Sequence, residues 1–205
     1  MYIQITTRCN MTCEHCCYSC TDKGEDMSFN VFKKALEFDG ETVALGGGEP
    51  TIHPQFNDFL LYAITNVENV WLATNGKLAD KALMLSKLAR RGVIACELSL
   101  DIYHDPIDDK VVKAFEIEKK NREYISSNQS DDLRGVRNVS GKELKSGRCN
   151  FGNEGCPCEE SIVKPNGDIK QCGCENSPTI GNVLSIDNET FWDTERQCYK
   201  ENDSN

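Results

Sequence analysis

Cys9, Cys13 and Cys16 stand at a CxxxCxxC spacing, which brings three thiolates from a single loop onto one metal centre. Three is the informative number. An iron-sulfur cube held by three cysteines keeps one iron without a protein ligand, and that iron can take a small chelator such as the amine and carboxylate of an amino acid. Cys17 and Cys20 follow closely. Either can cap the fourth iron, which makes a simple electron carrier, and several of these thiols together can close a tetrahedral zinc site.

A second group of thiols, Cys149, Cys156, Cys158, Cys172 and Cys174, includes the pairs Cys156-Pro157-Cys158 and Cys172-Gly173-Cys174. Its possible occupants are an iron-sulfur cluster, a zinc ion, or no metal at all, and CxC pairs are less typical of zinc than CxxC. Three ligands would leave an iron free for substrate, whereas four would favour an electron relay. Of the twelve cysteines only Cys96 and Cys198 lie outside the two groups. Cys96 reads as a small buried thiol.

The elements that must position these residues are legible in the hydrophobic period. Residues 2–6 read as a first strand, and Ser28 as the N-cap of a helix that buries Val31, Phe32, Ala35 and Leu36 and stops at Gly40. Residues 42–45 form a second strand. Phe56, Phe59, Leu60, Ala63 and Ile64 mark the next helix at i, i+3, i+4, i+7 and i+8. Residues 70–73 are a third strand, followed by a helix with Leu78, Ala82, Leu85 and Ala89 inward, Arg90 and Arg91 at its negative end and Gly92 as its stop. Residues 93–100 are a fourth strand. Asp105 and Pro106 then supply an N-cap and first-turn proline for a helix burying Ile107, Val111, Ala114 and Phe115. Four β/α units of this kind form a curved parallel sheet whose working face is at the carboxyl ends of the strands. Residues 121–155 are polar and carry at most one further strand. Residues 161–171 read as a hairpin around a Pro165-Asn166-Gly167 turn.

Composition narrows the function classes. With 33 acidic against 23 basic residues the 205-residue chain has a net charge of −10, which argues against nonspecific nucleic-acid coating and binding to anionic membranes. No run approaches the roughly 18 apolar residues of a membrane span, and Met1 leads directly into a strand rather than a signal peptide. The expected compartment is the cytoplasm, where thiols serve as metal ligands or catalysts rather than as disulfides.

CxxxCxxC after a first strand resembles the signature of the radical S-adenosylmethionine (radical SAM) enzymes. Gly46-Gly47-Gly48-Glu49-Pro50 falls where that family carries its GGE motif, Thr74-Asn75-Gly76 where it carries TNG, and Ser99-Leu100-Asp101 with His104-Asp105 looks like the SLD and HD pattern of its SPASM and twitch subgroup. Taken singly these residues have structural explanations: a tight glycine turn, a first-turn acid at Glu49, an Asn75-Gly76 turn pair, and capping by Ser99 or Asp101. Their shared position after successive strands favours the family. The resemblance covers residues 3 to 105. It implies a partial (β/α) barrel, an α/β fold, with a [4Fe-4S] cluster on Cys9, Cys13 and Cys16. It also implies SAM held by Gly47, Gly48, Glu49, Asn75, Ser99 and Asp101, and a 5′-deoxyadenosyl radical as the reactive product. His15 replaces the aromatic residue that commonly precedes the family's third cysteine and packs near adenine, and it can also be a plain loop residue. His53 reads as structural.

Cys149, Cys156, Cys158, Cys172 and Cys174 around the hairpin resemble the first cysteine segment of SPASM and twitch domains, which carries an auxiliary [4Fe-4S] cluster. The spacing is also similar to the C-terminal cysteines of the molybdenum-cofactor cyclase. The expected division is a barrel core over residues 1–125, a poorly defined remainder over 126–148 and a cysteine-rich β-hairpin extension over 149–205. The implied activity is hydrogen abstraction from a small-molecule, nucleoside-like or peptide substrate, ending in oxidation or isomerisation, with flavodoxin or ferredoxin as electron donor. An auxiliary cluster favours oxidation. The alternatives are an iron-sulfur electron carrier, a zinc-binding interaction module, a glycyl-radical activase or a peptide maturase.

Overall fold

Tyr2–Thr6 forms β1 in the computed structural model, and its period of two sorts the residues: Ile3 and Ile5 enter the apolar core, while Tyr2, Gln4 and Thr6 face the other way. The structure describes residues 1–38, 41–116, 132–138, 147–150, 160–173 and 177–193. Strands β2 (Thr42–Gly47), β3 (Asn69–Thr74), β4 (Ala95–Ser99) and β5 (Arg134–Arg137) follow one another outward from β1, each parallel to the last. On the other side of β1 lies β6 (Ile162–Val163), also parallel to it, then the antiparallel β7 (Asp168–Lys170) and β8 (Thr179–Asn182). The open sheet thus runs β5-β4-β3-β2-β1-β6-β7-β8 and places the first strand near its middle.

The helices α1 (Phe29–Leu36), α2 (Phe56–Asn66), α3 (Ala79–Arg90) and α4 (Asp109–Phe115) connect the parallel strands. Ser28 caps α1 by accepting from Val31 N at 3.3 Å, and Phe32 of α1 stacks on Phe59 of α2 with centroids 4.3 Å apart. Their apolar faces and Val43, Leu45, Val70, Leu72, Cys96 and Leu98 of the strands form one core. A short 3-10 turn, Pro50–Ile52, follows β2, and α5 (Asn188–Asp193) closes the described chain, with Phe191 edge-on to Phe38.

The expected β/α order holds, and the further strand is β5. Three details differ. Leu78 is the N-cap of α3 and 39% exposed rather than inward. Val93 is exposed and β4 begins two residues later, because the chain leaving α3 must turn at Gly92 before it rejoins the sheet. The helix expected from Asp105 starts at Asp109, because Asp108 accepts from Lys110 N at 2.9 Å and so is the cap; Asp105 pairs instead with Lys77. The hairpin forms as expected: Gly167 takes φ +89° and its N–H donates to Lys164 O at 2.8 Å. Gly40, Cys156, Cys158, Cys174 and Cys198 lie outside the described residues. Among the described residues no helix is long and apolar enough to cross a membrane.

Candidate active site

The loop after β1 makes few regular backbone bonds, so its shape depends on ties to other segments. Cys9 N donates to Thr21 O at 2.5 Å, and Thr7 N to Glu25 O at 2.9 Å. Arg8 forks onto Asp26 at 3.1 and 2.7 Å, while Thr6 Oγ1 donates to the same carboxylate at 2.6 Å. Met11 N at 3.4 Å and Asn75 Nδ2 at 3.8 Å point at the Cys9 sulfur. Cys9, Cys13 and Cys16 are all half-buried and line one cavity of about 370 Å³. Burial pushes the Cys9 thiol up, and it pushes Cys13 up to about 11 with the neighbouring Cys9 and Cys16 adding to the effect. Cys16 is shifted down, chiefly because the Cys20 thiol donates to it, and Cys20 is shifted up in consequence. Thiols that raise one another's pKa in this way are a donor set that a metal cation stabilises.

Gly46, Gly47 and Gly48 pass directly behind this loop. A Cβ at Gly46 would collide with the Tyr2 ring, one at Gly47 with Thr6 O, and one at Gly48 with Arg8 O and Cys9 Cβ. Gly47 also has φ +146°. Its N–H donates 2.7 Å to the Tyr2 hydroxyl. Glu49 is 1% exposed. Its Oε1 accepts from Thr51 N at 3.2 Å, Thr51 Oγ1 at 2.5 Å and Thr74 Oγ1 at 2.8 Å, whereas Oε2 accepts only from Asn75 N at 2.8 Å. Burial raises its pKa despite the four bonds. Among the described residues no basic side chain forms an ion pair with Glu49. An ammonium brought to Oε2 would therefore offset the burial of this carboxylate, which fits a ligand carrying an amine.

At the ends of β3 and β4 the same cavity meets Thr74, Asn75, Ser99 and His104. Asp101 accepts from Tyr103 N and bonds His104 Nδ1, each at 2.9 Å, and His15 Nε2 lies 3.7 Å from its second oxygen. Burial opposes ionisation of Asp101, but the bonds from His104 and Tyr103 and the two histidines outweigh it and hold the carboxyl below its usual value. His15 lines the cavity with its side chain 18% exposed, 5.0 Å between ring centroids from His104 and 5.2 Å from Tyr103. The imidazole is part of an aromatic wall.

The structure thus gathers Cys9, Cys13, Cys16, His15, Gly47, Gly48, Glu49, Asn75 and Ser99 around one cavity, with Asp101 immediately behind. Cys149 and Cys172 are buried in the C-terminal part of the chain. His53 is structural as expected, bonded to Met27 O at 3.0 Å, and Cys96 is fully buried. Tyr2, Trp71 and Arg137 also line the cavity without having been singled out. For Tyr2 a signal existed: it shares a strand face with Gln4 and Thr6, and that face points away from the core.

The family model described as "Radical SAM superfamily" matches residues 3–126. The chain belongs to the radical SAM superfamily. With that membership come a [4Fe-4S] cluster and SAM, and the three thiols and the buried carboxylate of Glu49 are chemically suited to both groups. A "Tungsten-containing aldehyde ferredoxin oxidoreductase cofactor-modifying protein" of Pyrococcus furiosus is 36% identical over 110 residues, covering 50% of this chain and 30% of the relative. A "Probable GTP 3',8-cyclase" of Methanosarcina mazei is 32% identical over 109 residues, covering 48% and 32%. The "Antilisterial bacteriocin subtilosin biosynthesis protein AlbA" of Bacillus subtilis is 32% identical over 112 residues, covering 52% and 25%. The matches span a third or less of these curated relatives' length. BtrN in complex with AdoMet and 2-DOIA shares the fold, with a TM-score of 0.64 at 14% identity over 95% of this chain and 82% of that one.

Proposed function

We propose that Cys9, Cys13 and Cys16 hold the cluster with one iron open to SAM, and that this radical SAM enzyme abstracts hydrogen from a small-molecule, nucleoside-like or peptide substrate. When bound, the reduced cluster and SAM would supply radical chemistry directed at a substrate C–H bond. The chain's residues bind, aim and shield. Glu49 Oε2, with the backbone of Gly47 and Gly48, would hold the ammonium of SAM. Asn75 and Ser99 present polar groups at the strand ends, His15 offers a ring face for adenine, and Asp101 fixes His104 at the rim. Alternation along β1 and β3 turns Tyr2, Trp71 and Ala73 toward the cavity, where they limit water around a reactive carbon.

One juxtaposition supports this most: three half-buried sulfurs from one loop share a cavity of about 370 Å³ with a buried carboxylate that has no cationic partner among the described residues. Anaerobic reconstitution should load a cluster whose EPR signal changes on adding SAM, and dithionite should then release 5′-deoxyadenosine. Cys13→Ala should abolish that release. Normal release by the variant would overturn the ligand assignment, whereas a spectrum indifferent to SAM would favour an electron carrier or a zinc module.

A second metal site in the C-terminal part, drawn from Cys149, Cys156, Cys158, Cys172 and Cys174, belongs to the same proposal. In its support, Cys172 and Cys17 line one cavity of about 140 Å³ together with Lys164 and Lys170, cations suited to an anionic iron-sulfur group. Such a centre would take the electron left on the substrate and make the net reaction an oxidation. Cys172→Ala should then spare SAM cleavage without substrate while blocking turnover. The relatives named for a cyclase and for bacteriocin biosynthesis keep both nucleotide-like and peptide substrates in view.

A further inference from the structure

The loop carrying the three thiols is braced by a residue far along the chain. Arg148 Nε donates to Cys13 O at 3.0 Å, its NH2 group donates to Cys20 O at 2.8 Å, and its backbone N–H donates to Cys16 O at 3.0 Å. Three carbonyls of one irregular loop thus take donors from a single residue. The neighbouring Gly147 is seated on the same loop: at φ +56° its Cβ position would meet Cys17 O at 2.6 Å and Ser19 Oγ at 2.8 Å, so no larger side chain fits there. Cys149, the next residue after Arg148, is buried.

We propose that Arg148 is a positioning residue for the SAM-binding cluster, which clamps the loop on either side of Cys16 through the carbonyls of Cys13 and Cys20 and makes the cluster easier to reduce through its fixed positive charge. The inference rests on the assignment of Cys9, Cys13 and Cys16 as cluster ligands. Carbonyls held by a planar fork have little freedom to swing, which restricts the backbone between Cys13 and Cys20 that carries the Cys16 sulfur. Reduction adds a negative charge to the cluster, and a nearby cation that is partly shielded from water stabilises the reduced form more than the oxidised one. Arginine suits both tasks because it stays charged and its donors form a rigid fork.

Arg148→Met and Arg148→Lys, reconstituted anaerobically in the full chain, separate the two effects. Two readouts apply: the midpoint potential from an EPR-monitored redox titration, and the rate of iron loss to a chelator, with circular dichroism to establish folding. Arg148→Met should show a lower potential and iron loss faster by about tenfold or more, since two charge-assisted hydrogen bonds are removed. Arg148→Lys should hold its potential near that of the parent yet still lose iron faster, because one ammonium cannot span both carbonyls. A folded Arg148→Met protein with the parent's potential and iron retention overturns the inference. If that variant fails to fold, Arg148→Lys carries the test alone, and iron retention equal to the parent's overturns the clamp. A parent chain that takes up no SAM-responsive cluster would instead overturn the ligand assignment beneath it.

Discussion

Three glycines and one acid do as much as the cysteines to make the site. Gly48 lies against Arg8 O and Cys9 Cβ, so the residue that follows β2 determines where the first thiol of the neighbouring loop can sit. Gly48→Ala should cost about 3 kcal/mol or more, because the colliding atoms are backbone and cannot step aside. The expected observation is a lower melting temperature together with poor iron uptake. An alanine variant that melts and loads iron like the parent would show that the loop tolerates displacement. The cysteine motif was legible in the sequence because its spacing is local, whereas the glycine and acid motifs gained meaning only from their resemblance to the family's order along successive strands. Arg148 was not legible, since its hydrogen bonds reach 128 and 135 residues back along the chain and no local pattern marks such a contact. The bonding of Glu49 was half legible. Its role as an N-cap to Thr51 follows from proximity in sequence, but its bonds to Thr74 and Asn75 exist only because β2 and β3 are neighbours.

Between β1 and α1 the chain makes a long excursion that returns through Asp26. Thr6 at the end of β1, Arg8 at the start of the loop and Asp26 before α1 form one hydrogen-bonded group. Burial alone would raise the Asp26 pKa, but the bonds from Thr6 and Arg8 prevail and hold it below 3.8. The sign follows: a carboxyl with a depressed folded-state pKa contributes stability above its unfolded pKa and loses it as the pH falls through the folded value. Asp26→Asn should therefore destabilise the metal-free chain by about 1–2 kcal/mol at pH 7, a figure reduced for partial exposure, and the gap should shrink at acid pH as the carboxyl protonates. Denaturant melts of both proteins at neutral and acid pH measure it; a gap of constant size would mean that the ion pair contributes nothing. The elements themselves were read well wherever an apolar period was long, as in α2 and α3. Their ends were read less well. Asp105-Pro106 and Asp108 both satisfy the rules for a helix start, and Lys77, remote in sequence, draws Asp105 away.

Across the whole molecule the sheet has no break between the β/α units and the C-terminal hairpin. β6 hydrogen-bonds to the free side of β1, Tyr2 N donates to Ser161 O at 3.1 Å, and Lys164 Nζ donates to Gln4 Oε1 at 2.5 Å. The expectation of a parallel sheet and a hairpin came from periodicity and turn residues. That the hairpin would dock beside the first strand did not, because strand order is set by three-dimensional packing rather than by any residue in β6. A chain ended at residue 146 would expose the edge of β1 and lose Arg148, and it should aggregate and retain no iron after desalting. A soluble truncated chain that still cleaves SAM would show that the first four β/α units suffice.

The pairing of Ile3 with Val163 also bears on how the protein is made. During synthesis the ribosome delivers the thiol loop first and its brace and second flanking strand long afterwards. The nascent chain therefore presents an unfinished metal nest while most of the barrel is already able to condense, and contacts so remote in sequence close slowly. Iron delivery timed to follow translation, rather than to accompany it, would meet a loop already locked in shape.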